Sequence, residues 1–308
     1  MKRLIIVPLL ALFFVGCNKK EAVHLDFNVA SPSNTYSVND TVKFNITGNP
    51  DQLTFYSGEV GHKYIYRERL FAESDHITLT FASNKRYGTL ATQPNSMRLL
   101  ASQEFSGDYS EPALDETEWV DISDAFAFSP IVGNDNYTSS GEVNLLSLEN
   151  MGLSIDKSKS IYFAFVYQGI TGTTQPRWWF NQFDINIIAT DGQVLPGADI
   201  GSAGWRSVKL GDSPVDWVID GTPATRIRYQ GGGAAVGSND AWIITSAINL
   251  TAVQPDAGEA LKNMSTRMDE YSHVYTTPGT YTVTFVASNQ NVYGGDKVVK
   301  ELEITITP

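Results

Sequence analysis

Apolar and polar positions alternate with a period of two along most of this chain, and that alternation predicts strands rather than helices. Val42, Phe44 and Ile46 alternate with Thr41, Lys43, Asn45 and Thr47, and Gly48-Asn49-Pro50-Asp51 turns the chain before a second run from Leu53 to Tyr56. Towards the other end, Tyr281, Val283, Phe285 and Ala287 alternate with Thr280, Thr282 and Thr284, after a turn at Pro278-Gly279. Leu302, Ile304 and Ile306 then alternate with Glu301, Glu303, Thr305 and Thr307. Between these ends the pattern predicts ten short strands, over residues 77–82, 97–101, 119–122, 141–146, 161–167, 178–188, 206–209, 217–220, 225–229 and 241–244. Residues 161–167 are apolar on both faces, which predicts a central strand covered on both sides. The best helical pattern is residues 258–268.

The two terminal segments each hold strands for only part of a sandwich, and the stretch between them is long enough for a second domain. The expected class is therefore all-β: a discontinuous immunoglobulin-like sandwich from residues 18–66 and 255–308, with a jelly-roll β-sandwich, 67–254, inserted. Such an insert is held at both ends and so displayed on its spacer.

At the N-terminus, Met1-Lys2-Arg3 and an apolar run from Leu4 to Val15 have the form of a signal peptide, 1–17, too short to span a bilayer comfortably. It ends at Val15-Gly16-Cys17, and Cys17 is the only cysteine. A chain cleaved there carries no thiol for a disulfide, a thiolate metal site or a nucleophile. The 34 acidic residues outnumber the 22 basic ones, giving a net charge of −12, and such a surface repels nucleic acid. Few charges beside many Gly, Ser, Thr, Asn and aromatic residues suit an extracellular β-sandwich.

Strings in three parts of the chain resemble known families. Small residues before Cys17 resemble the lipobox of bacterial lipoproteins, in which Phe14 stands where Leu is usual. The resemblance implies lipidation of Cys17 and anchoring in the outer membrane. Surface-exported lipoproteins of Bacteroidetes carry an acidic stretch there, whereas Asn18-Lys19-Lys20-Glu21 has two lysines, which leaves both the surface and the periplasmic face open. The string from Tyr275 to Val283, YTTPGTYTV, resembles modules of the polycystic-kidney-disease (PKD) type, in which these aromatics are structural. In the insert, Trp119-Val120-Asp121-Ile122-Ser123, Ser140 to Leu145, Ile161 to Phe165 and Asp240 to Leu250 resemble choice-of-anchor and cleaved-adhesin jelly rolls, with Ala247 in place of a usual proline and Asn249 in place of a usual aspartate. Their order within a split PKD-like frame looks like an uncharacterised lipoprotein family of gut Bacteroidetes. That resemblance implies binding of a polysaccharide or oligosaccharide beside an outer-membrane glycan-import complex.

The residues themselves carry no nucleophile elbow and no His-Glu-x-x-His string; the four histidines, His24, His62, His76 and His273, lack ligand spacing. Glu116 and Glu118 alternate as glycosidase acids do, but they precede the strand pattern that begins at Trp119. Asp121, Asp135 and Asn136 are hard-oxygen groups of the kind that hold a structural Ca²⁺, although Asn134-Asp135-Asn136 also reads as a turn. No other cofactor is implied. All six tryptophans lie in the insert. Sugars stack on such rings and are oriented by a few polar groups. The candidate ligand-binding residues are Trp178, Trp179, Arg177, Gln175, Trp205, Arg206, Tyr229 and Gln230, the last beside a Gly231-Gly232-Gly233 loop that would let a ligand approach backbone. Adjacent strand residues face opposite ways, so one of Trp178 and Trp179 is expected in the core and the other outside. Trp119 and Trp242 are expected in the core. The resulting expectation is a non-catalytic, lipid-anchored glycan-binding protein. Two alternatives stay open: a jelly-roll glycoside hydrolase or lyase, with paired carboxylates, and a structural or adhesin subunit, with an exposed apolar patch for a protein partner.

Overall fold

A computed structural model describes residues 25–190, 192–292 and 294–308. The signal peptide and Cys17 lie outside the described residues. Among those described, no helix is long and apolar enough to cross a membrane. The chain is all-β and divides into two units, with crossings at Arg67/Glu68 and Asp256/Ala257.

The first segment supplies β1 (Asn28–Ala30), β2 (Thr35–Ser37), β3 (Thr41–Thr47) and β4 (Gln52–Tyr56). The larger unit holds β5 (His76–Arg86), β6 (Met97–Ser102), β7 (Val120–Asp121), β8 (Thr138–Ser139), β9 (Val143–Asn144) and β10 (Tyr162–Gly169). It continues with β11 (Arg177–Ile188), β12 (Val194–Ala198), β13 (Arg206–Lys209), β14 (Trp217–Asp220), β15 (Arg226–Tyr229) and β16 (Asn239–Ile244). The last segment supplies β17 (Glu259–Lys262), β18 (Glu270–Val274), β19 (Gly279–Asn291) and β20 (Gly294–Thr307).

The discontinuous unit is an immunoglobulin-like sandwich of two sheets, β1-β3-β18 and β17-β4-β19-β20-β2. Its alternation is clean: along β3 the side chains run exposed, buried, exposed, with Val42, Phe44 and Ile46 inside. Phe44 packs on Phe285 and Phe55 at centroid separations of 5.2 and 5.8 Å. Tyr275 is fully buried and donates to the Ser57 carbonyl at 2.8 Å, so this ring is structural. The helical pattern at 258–268 forms no helix: Glu259–Lys262 is a strand, and turn and irregular backbone follow. An isolated helix of that length is marginal, whereas β17 gains ladder hydrogen bonds on the edge of β4.

In the larger unit, β5 pairs β11 and β6 pairs β10; β10 then pairs β16 and β11 pairs β15. Two nested ribbons of this kind are interlocked Greek keys, the connectivity of a jelly roll. The resulting sheets are β13-β16-β10-β6-β7 and β14-β15-β11-β5-β8. Each strand expected from the pattern is present, and β8 and β12 are additional.

β10 shows why one strand can be apolar throughout. Phe163, Phe165 and Tyr167 enter the core between the sheets, while Ala164 and Val166 face outward beneath Phe105, Leu114, Trp119 and Trp242. In β11 the apolar phase changes midway: Trp178 and Phe180 point inward, and so do Phe183, Ile185 and Ile187. A bulge makes that possible, because Phe180 pairs with Ser83 and Gln182 with Ala82, leaving Asn181 without an opposite residue. A strand without the extra residue would turn one of the two sets to the surface.

Candidate functional site

The tryptophan platform expected from the sequence is dispersed. Trp178 and Trp179 do face opposite ways. Trp178 lies in the core, its ring plane nearly parallel to that of Phe180 at 6.2 Å, with Nε1 donating to Ser96 Oγ at 3.1 Å. Trp205 is buried against Phe183 and donates to the Ile200 carbonyl. Tyr229 is buried with its ring stacked on Tyr167 at 3.9 Å, and burial pushes its phenol up to about 12. Its hydroxyl donates to the Val215 carbonyl. None of these three rings can offer a face to a sugar, because the apolar phase of their strands points them between the sheets.

Gln175 is also internal; it donates to the Gly237 carbonyl and accepts from Asn239. Gly231, in the loop that suggested an open approach to backbone, is used by the chain itself, as is Gly204. A Cβ on Gly231, at φ +65°, would stand 2.3 Å from the Pro176 carbonyl oxygen, and one on Gly204 would stand 2.1 Å from Ser246 Oγ. Arg206 lies with its guanidinium 4.7 Å from the Tyr109 ring centroid, and Gln230 is exposed. The eight residues therefore do not converge.

Trp179 is on the outer sheet face, between two cations. The Arg177 guanidinium lies 3.5 Å from its centroid and that of Arg226 lies 4.5 Å away. These cation–π contacts occupy the ring that a sugar would need. Arg177 is itself buried and donates to Asn84 Oδ1 at 3.0 Å and to Asp135 Oδ1 at 3.2 Å. The Arg177 hydrogen bond holds the Asp135 carboxyl below its ordinary range, and Arg86 acts in the same direction. Asp135 thus serves arginines rather than a metal ion. Asn136 and Asn134 offer backbone carbonyls to the Asn84 amide, which pins the turn to β5. Asp121 sits on β7 at the edge of the other sheet and accepts from Ser123. Asp121 and Asp135 thus each have protein partners, and among the described residues no group of three His, Cys, Asp or Glu could hold a metal ion.

A different site is present at one end of the jelly roll, a cleft of about 770 Å³. One wall is the end of β5 and the start of β11, where Lys85 pairs in register with Trp178. The opposite wall is Asn95, Ser96, Met97 and Arg98, leading into β6. The segment from Asp121 to Ile131 closes the third side and contributes Phe126, Phe128, Ser123, Asp124 and Ser129. Local hydrogen bonds set this segment: Ser123 Oγ accepts from the Leu99 amide, Ser129 N donates to Ser83 Oγ, and Val132 N donates to the Lys85 carbonyl. Phe128 meets Trp178 edge to face at 5.8 Å. The result is an aromatic floor with hydroxyl, amide, carboxylate and ammonium groups around it.

Lys85 is the group that the sequence reading missed. Ile77, Leu79, Phe81 and Ser83 are the inward positions of β5, and Lys85 continues their phase. It is only 7% exposed, and its ammonium lies 5.2 Å from the Trp178 centroid. Burial lowers its pKa from the ordinary lysine value. Extending the alternation beyond Ala82 would have revealed a cation in a core phase. Asp240 was also missed: burial raises its carboxyl pKa, with the Gln168 hydrogen bond and the Arg98 charge opposing. It lies across from Gln168 on β16, outside the cleft lining.

Fold and site together define an all-β protein of two units, an immunoglobulin-like sandwich and a jelly roll, the latter with a mixed aromatic and polar cleft. The chain matches the family described as "Domain of unknown function (DUF5017)" over residues 16–205, more than half of its length, and belongs to that family. No curated protein matches the chain, and no solved structure does.

Proposed function

We propose that this protein is a non-catalytic glycan-binding lipoprotein that takes hold of a polysaccharide segment in the end cleft of its jelly roll. The observation that carries the reading is the composition of that cleft: Phe126 and Phe128, backed by the buried Trp178, beside Asn95, Ser96, Ser123, Asp124 and Lys85. Clefts of this size, with an apolar wall and a few convergent polar groups, suit a ligand whose apolar faces alternate with hydroxyls. The lipobox-like string at Cys17 supports anchoring in the outer membrane, and the family resemblance of the split frame supports delivery to a glycan-import complex.

The test is affinity electrophoresis of the chain from Asn18 onward in gels containing a panel of neutral and acidic polysaccharides, with reducing-sugar release assayed in the same samples. Retardation without sugar release is expected. Asn95→Gly, which suits the left-handed backbone there (φ +52°), and Asp124→Ala, both exposed on the cleft rim, are expected to change it, the first by weakening it, with little effect on the melting temperature. Sugar release would replace this reading with an enzymatic one, and retardation untouched by either rim variant would remove the cleft from it.

A further inference from the structure

The cleft holds a cation whose charge is not matched. Lys85 is nine-tenths buried, and among the described residues no carboxylate pairs with its ammonium. Its charged neighbours in the cleft are otherwise engaged or distant from the floor. Asp121 is occupied by Arg98, 3.8 Å away, and by the Ser123 amide and hydroxyl. Asp124 is exposed on the rim. The Trp178 ring offers Lys85 a partner of fixed position but no formal charge.

A desolvated ammonium without a counter-charge is unfavourable. Only an anion neutralises it. The loss of water has already been incurred in the folded protein, so an arriving anion gains a charge-assisted hydrogen bond without desolvating the cation further.

We infer that Lys85 makes the cleft selective for an anionic sugar, one bearing a uronate carboxylate or a sulfate ester, which seats against the ammonium while the sugar ring lies along Phe126 and Phe128. This rests on the glycan-binding reading above. The overall net charge of −12 opposes polyanions at long range, so the selectivity is local and is best read near 0.15 M salt, where the general repulsion is screened within about 8 Å.

The experiment compares matched pairs in affinity electrophoresis: polygalacturonate with its carboxyl-reduced form, and dextran sulfate with dextran. The expected result is roughly tenfold tighter binding of the acidic member of one pair, the difference between a charged and a neutral hydrogen bond. Which pair responds identifies carboxylate or sulfate as the recognised group. Lys85→Met keeps the apolar stem and is expected to abolish the preference, whereas Lys85→Arg is expected to retain part of it. The pair comparison on the unaltered protein stands even where Lys85→Met fails to fold. Equal retardation by both members of each pair, or binding of neutral glycans alone, would overturn the anionic selectivity and leave glycan binding standing. A folded Lys85→Met variant that keeps the preference would remove Lys85 from it. Absence of retardation by any of the four probes, and by the wider panel, would remove both readings.

Discussion

Replacing Trp178 by alanine separates a structural ring from a ligand platform. The side chain is 3% exposed and packs against Phe180, Phe128 and the Lys85 ammonium. Burying an aromatic side chain removes on the order of 150–250 Å² from water, and at ~25 cal/mol/Å² that is an upper limit of roughly 4–6 kcal/mol. The Ser96 hydrogen bond adds about 1 kcal/mol, and buried Trp→Ala substitutions cost roughly 3–5 kcal/mol overall. A loss of about 4 kcal/mol in a unit of this size lowers the melting temperature by roughly 8–16 °C. Intrinsic fluorescence is a suitable assay, because all six tryptophans lie in the larger unit and five remain in the variant. Trp179→Ala is the internal comparison; it forfeits cation–π contacts on the outer face and should cost no more than about 2 kcal/mol. A Trp178→Ala variant that melts within about 2 °C of the parent while losing retardation in polysaccharide gels would refute the core assignment and restore Trp178 as a stacking surface.

Two carboxylates give opposite pH signatures. Asp240 has a raised native pKa, chiefly from burial; its ionised form is disfavoured in the fold, so stability is lost as pH rises from the ordinary value of 3.8 through the native one. Asp240→Asn is therefore expected to raise the melting temperature at pH 7 and to show no gain near pH 3, by calorimetry; destabilisation at pH 7 would mean that attraction to Arg98 outweighs burial. Asp135 has a lowered native pKa, chiefly through Arg177; its contribution is present above the ordinary value and lost as pH falls through the native one. Asp135→Asn is expected to be less stable than the parent at pH 7 in urea titrations, with the gap closing below pH 3.8. A gap independent of pH would show that the carboxylate charge does not support Arg177.

Much of the fold was legible because a two-residue period ties sequence directly to the faces of a sheet. Val42-x-Phe44-x-Ile46 and the doubly apolar run at 161–167 state their burial in their order, and the turn residues state where strands end. The class of the protein, its two-part organisation and the presence of a central strand follow from these. Placement of functional groups did not follow, because it depends on partners distant in sequence. Trp179 and Trp205 look equally available in the chain, yet one is clasped by Arg177 and Arg226 and the other is packed on Phe183. Asp135 looks like an oxygen ligand until Arg86 and Arg177 are brought to it by β5 and β11. The 258–268 segment carried a helical pattern, and the free edge of β4 made its first part, Glu259–Lys262, a strand.

The sequence alone determined the main strands and which of their faces must be covered, since alternation and apolar content act locally. Only the tertiary structure decided which face each aromatic meets, that the chain's own backbone closes on Gly231, and that Lys85 ends in a cleft without a counter-charge. Those outcomes are set by register, the β11 bulge and packing between sheets, which join residues as far apart as Lys85 and Trp178.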